Sequence, residues 1–154
     1  MIFVTDYREF IAFTDECNAH YRTLLEFEYR KLTLIHEDNI DELSRALSEE
    51  QALVMKSNVL EKKRAEILAP EDAGKTFREL IEAAPEEYKA RLTESCEELT
   101  AVIRKIKDIN DNAAAIINAR LRKIQKNRDE LETYNMKGGV SHTDGSVRTT
   151  TFNA

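Results

Sequence analysis

No glycine or proline interrupts the chain between Pro85 and Gly138. A glycine in a helix interior costs about 1 kcal/mol and a proline about 3 kcal/mol relative to alanine, so an uninterrupted stretch of this length favours one very long helix. Such a helix needs an apolar seam to lie against something. Leu92, Cys96, Leu99, Ile103, Ile106, Asn110, Ala113 and Ile117 recur in alternating steps of four and three, the seam of a left-handed helical packing. Leu121 follows at a step of four where the repeat calls for three, and Ile124, Arg128 and Leu131 continue from there. That stutter unwinds the supercoil locally. We expect the helix from Glu86 to Thr133, a rod of roughly 70 Å at 1.5 Å per residue.

Three shorter helices precede it. Phe3, Tyr7, Phe10, Thr14, Cys17, Tyr21 and Leu24 step by three and four, predicting a first helix over Thr5–Ile35 with Thr5 as N-cap. After the turn "HEDNI", Asn39 caps a second helix that stops near Ala69 because Pro70 follows. A short amphipathic helix spans Lys75–Ala84, and Pro85 stands at the start of the long one, where its missing donor matters least. The long helix outreaches each of the first two, roughly 70 Å against 45 Å, so part of it must meet something other than a full-length hairpin mate, or project. The expected fold is all-α: an antiparallel bundle of long helices over residues 1–134 with a short crossover helix. A polar tail follows over residues 135–154, flexible because Gly138, Gly139, Gly145 and the Thr-rich run offer little to bury.

Charge narrows the function classes. The net charge is −6, against the basic field of a general nucleic-acid binder. It is uneven: side-chain counting gives about −4 for residues 1–40, about −6 for 41–100 and about +3 for 101–134. The start, "MIFVTDYREFIAF", lacks a basic n-region and soon meets Asp6, Arg8 and Glu9, so no cleaved signal peptide is indicated. No apolar run approaches the roughly 20 residues that cross a bilayer. We expect a cytoplasmic protein without membrane insertion.

No residue set carries catalytic chemistry. "APEDAGKT", Ala69–Thr76, ends like a phosphate loop, but Ala69 stands where the motif has glycine and no strand precedes it. His20, His36 and His142 form no metal-ligand spacing, although Glu16 and His20 are placed to share a helix face. Cys17 and Cys96 are isolated and read as buried thiols. Paired glutamates such as Glu97 and Glu98 point about 100° apart and cannot oppose each other across a substrate. We expect no enzyme, no metal and no cofactor.

The order of "LLEFEYRKL", "DNIDELSRALSEEQALV", "LEKKRAEIL" and a long helix ending "ETYNMKGG" resembles the FlgN family of flagellar export chaperones. The resemblance implies a small cytoplasmic protein that binds helical C-terminal segments of the hook-associated proteins FlgK and FlgL and prevents their premature assembly. It also implies delivery of them to the export gate protein FlhA, with Tyr134 as the gate contact. Where the family tends to a leucine–asparagine step with a second asparagine three residues on, this chain has Ile109–Asn110 and then Ala113.

Joined to the stutter and the local positive charge, this places a helix-in-groove site on Ile109, Asn110, Ala113, Ile116, Ile117, Leu121 and Ile124, with Arg120 and Arg128 at its rim. Asn110 on the seam either selects register or marks where another helix enters. The alternative reading is a coiled-coil scaffold that self-associates through the same stripe.

Overall fold

The structure, a computed structural model, describes residues 4–138. These residues form four helices and no strand: α1 Tyr7–His36, α2 Ile40–Ile67, α3 Phe77–Ala83 and α4 Glu86–Gly138. The fold is all-α, a bundle of long helices with a short crossover helix, as the sequence leads one to expect. The chain divides into two compact units, Met1–Asn110 and Asp111–Ala154.

Side-chain caps start the helices. Asp6, not Thr5, caps α1, its carboxylate accepting from the Arg8 N–H at 3.0 Å. Thr5 is occupied elsewhere: its hydroxyl accepts from the buried Ala69 N–H at 2.9 Å and donates to Asp72 at 2.7 Å. Asn39 caps α2 by accepting from the Glu42 N–H at 3.3 Å. The turn before it carries Asp38 at φ 53°, a left-handed conformation that aspartate tolerates better than most residues. α2 ends at Ile67 rather than Ala69, and α3 starts later than Lys75 because Thr76 caps it, accepting from the Glu79 N–H at 3.2 Å.

The first unit holds the core. Phe10, Phe13 and Cys17 of α1, Leu60 and Ile67 of α2, Leu80 of α3 and Leu92 of α4 are buried together. Ion pairs fix the helix directions: Lys31–Glu50 and Lys63–Glu16 set α1 and α2 antiparallel, while Asp15–Arg91 and Arg22–Glu98 set α1 and α4 parallel. Between the latter two, the buried Asn18 amide donates to the Ser95 carbonyl at 3.3 Å.

The seam of α4 differs from expectation by one residue at alternate steps. Leu92, Ser95, Val102 and Ile109 are buried, whereas Ile103 is 44% exposed and Asn110 lies on the surface. Asn110 is therefore not a polar residue in an apolar seam. Burying Ile109 removes apolar area from water, and burying Asn110 would strand an amide, so the helix turns its aliphatic neighbour inward. The same choice lets Ser95 take an interior position, where its hydroxyl accepts from Arg91 at 2.8 Å and its carbonyl serves Asn18.

In the second unit the helix continues through Gly138. Tyr134 thus lies within α4, and residues 135–138, expected in the tail, are helical. The remainder of the expected tail, including Gly139, His142 and Gly145, lies outside the described residues.

Candidate functional site

α4 of the second unit presents an apolar face to solvent. Leu121 is 40% exposed, Ile124 and Leu131 each 61%, and Tyr134 66%. At about 100° per residue, Leu121, Ile124, Arg128 and Leu131 fall within an arc of roughly 80°, with Tyr134 about 60° beyond. Arg122, Lys123 and Lys126 point to the other side of the helix. Local bonds stiffen this stretch: Gln125 donates to Asp129 at 3.1 Å, Thr133 to the Asp129 carbonyl at 2.9 Å, and Arg128 stands 3.6 Å from Glu132.

The residues singled out from sequence fall into distinct settings. Ile109 and Ala113 are buried, each 5% exposed. Asn110 is exposed, Ile116, Ile117, Arg120 and Arg128 are half-buried, and Leu121, Ile124 and Tyr134 are exposed. Ile109 and Asn110 belong to the first unit and the others to the second. Leu131 was legible as part of the stripe, three residues beyond Arg128, yet was not placed in the site. Its exposure equals that of Ile124.

The other candidates are consumed by packing. In the loop after α2, Asp72 pairs with Lys75 at 2.8 Å and with Thr5, and these partners hold its carboxyl below the usual range. Arg64 donates to the Lys75 carbonyl at 2.7 Å. The segment that ends like a phosphate loop is a turn pinned to the bundle. Glu16 turns to Lys63 at 2.8 Å, and His20 instead meets the Ser57 hydroxyl at 2.7 Å. The Ser57 hydroxyl also reaches the Leu53 carbonyl at 3.2 Å, an arrangement that the His20 tautomer with its proton on Nε2 completes. Burial, with Lys56 nearby, lowers the imidazole pKa.

Cys17 is buried and its thiol is pushed up to about 11, while Cys96 is half-buried; neither is in a disulfide. Among the described residues no His, Cys, Asp and Glu group could hold a metal, and no helix is long and apolar enough to cross a membrane.

An exposed apolar face on a continuous helix, in a chain with no metal-holding cluster among the described residues, is equipped to bind protein. Comparison with known families is decisive at this point: the family model of FlgN proteins matches residues 1–142. The chain belongs to the FlgN family. It is accordingly a flagellar export chaperone. No curated protein and no solved structure matches it.

Proposed function

We propose that this FlgN-family chain escorts the hook-associated proteins FlgK and FlgL in the cytoplasm, binding their helical C-terminal segments, preventing premature assembly and delivering them to FlhA. The observation that carries the reading is the apolar face of the second unit. Ile116, Ile117, Leu121, Ile124 and Leu131 supply the contact, with Arg120 at its rim and Arg128 within it. An amphipathic cargo helix laid on this face buries aliphatic side chains on both partners, which is the driving force of helix-in-groove recognition. Ile109 and Ala113, already buried, and Asn110, exposed and polar, stay outside the contact.

Tyr134 is the proposed gate contact. Its ring is two-thirds exposed, so it combines a large apolar area with a hydroxyl that can remain wet, a combination enriched at binding interfaces.

The test is calorimetric titration of the full chain with C-terminal FlgK and FlgL peptides, comparing wild type with I117E and L121E. Both variants should fold and lose affinity by at least about tenfold; unchanged affinity overturns the site. Y134A should bind the peptides as wild type does and bind FlhA more weakly. Equal binding to FlhA removes Tyr134 from the gate contact.

A further inference from the structure

A second stripe, confined to the first unit, runs along the outer face of α2. Ile40, Ser44, Leu47, Gln51, Val54 and Asn58 recur in alternating steps of four and three, and every one of them is exposed. At about 100° per residue they fall within an arc of roughly 80°. The buried Ala46, Leu60 and Ile67 point about 120° or more away from its middle. No charged residue interrupts the stripe: aliphatic residues alternate with hydroxyl and amide side chains, the pattern of a coiled-coil seam with polar groups at one of its two positions. The exposed Met55 flanks it, and Leu47, Glu50, Gln51, Val54 and Met55 border a depression in this surface.

The charge of α2 reverses along its length. Residues 40–50 sum to about −3 and residues 56–64 to about +3. Much of this charge is occupied within the first unit: Glu49 and Glu50 pair with Arg30 and Lys31, Glu42 with Arg45, and Lys63 with Glu16. Asp41 and Lys62 lie on the Met55 side of the stripe, one near each end. Among the described residues neither has an ion-pair partner.

We propose that two copies of the chain pair through this face of α2, with the helices antiparallel about a two-fold axis level with the Ala52–Leu53 peptide. Antiparallel pairing sets the acidic half of each α2 against the basic half of the other, whereas parallel pairing would set like against like. In this register Leu47 lies level with Asn58 of the other copy, Gln51 with Val54, and Met55 lies beside Ser48. Asp41 stands about 3 Å along the helix axis from Lys62 of the other copy, and the lysine stem spans that offset to close an ion pair at each end. Because each copy offers both halves of the contact, the interface is isologous and closes at two subunits. Ser44, Gln51 and Asn58 keep the pair weak, since polar residues in a seam set register at a cost in stability.

The contact uses none of the residues proposed for cargo or for the gate. Its consequence for function rests on the cargo reading: a pair carries two cargo faces, one on each copy.

Sedimentation of the full chain without cargo tests the pairing. Wild type should dimerise at high micromolar concentration, and L47E and V54E should each weaken dimerisation by about tenfold or more. D41K and K62D should each weaken it, because each sets like charges together at both ends, and the D41K/K62D double variant should restore it. Q51C/V54C in a C96S background should cross-link to a second copy on oxidation. Thermal melts of V54E and of the double variant check that these exposed positions leave the fold intact.

A monomeric wild type overturns the proposal, as does failure of the charge-swapped variant to restore pairing or of Q51C/V54C to cross-link. The assay contains no cargo, so its failure leaves the cargo site untouched. Conversely, V54E lies outside that site and should retain full peptide affinity.

Discussion

Ile109 and Ile124 lie on one helix and are the same residue type, but alanine at each should disturb a different property. Ile124 is 61% exposed. Fully burying an isoleucine is worth about 1.5–3 kcal/mol, so the part a cargo helix newly covers is worth about 1–2 kcal/mol, five- to thirty-fold in Kd. I124A should weaken FlgK or FlgL peptide binding by about that factor and leave urea unfolding within about 0.5 kcal/mol of wild type. Ile109 is 5% exposed, and removing its buried methyl and methylene groups should cost about 2–5 kcal/mol of stability. Among folded I109A molecules the peptide Kd should not change. Titration calorimetry and urea melts on the two variants read both quantities. If I124A destabilises the fold while binding normally, or folded I109A loses affinity, the division into covered and offered faces is wrong.

Three further outcomes follow from the interior. T5V leaves the buried Ala69 N–H without its acceptor and removes a donor from Asp72, so urea melts should show a loss of about 1–3 kcal/mol or more. His20 has a folded-state pKa below its unfolded value. The unfolded chain therefore binds the proton more readily, and stability present above about pH 6.5 should decline as pH falls below it; H20Q should flatten that part of the profile. With a thiol reagent at neutral pH, folded protein should label first at half-buried Cys96, and Cys17 should react only on unfolding, as its depth and raised pKa require.

Much of this architecture is legible in local patterns. Asn39 before an apolar-periodic run and Pro70 after one mark their boundaries because caps and proline act within a turn of the chain. Thr5 looks like an equally good cap and is not one, since its hydroxyl is claimed by Ala69 and Asp72, more than sixty residues away in sequence. The phase of the α4 seam is lost for a related reason. Val102 beside Ile103 lets the three–four repeat run along either of two lines, and the contest between Ile109 and Asn110 is decided by which of them the folded chain buries, not by α4 alone.

Buried polar pairs such as Asn18–Ser95 and His20–Ser57 escape sequence reading entirely, because each joins two helices whose register had to be known first. On the second unit the exposed apolar stripe was readable from spacing. Leu131 was readable as the continuation of that stripe, but spacing alone does not say where a docking face ends, and it was left out of the site.

The parallel pairing of α1 with α4 has a consequence for how the chain acquires its shape. Lys31 meets Glu50 and His20 meets Ser57 across one short turn, so the α1–α2 hairpin closes a small loop. Asn18 meets Ser95 only after a separation of 77 residues. Closing the larger loop costs more entropy and slows the step that requires it. During synthesis the hairpin can form as soon as α2 has emerged, and it then waits with Phe10, Phe13 and Cys17 partly uncovered until Leu92 and Ser95 arrive. The unfinished chain thus passes through an interval in which its own core is an apolar surface awaiting a helix.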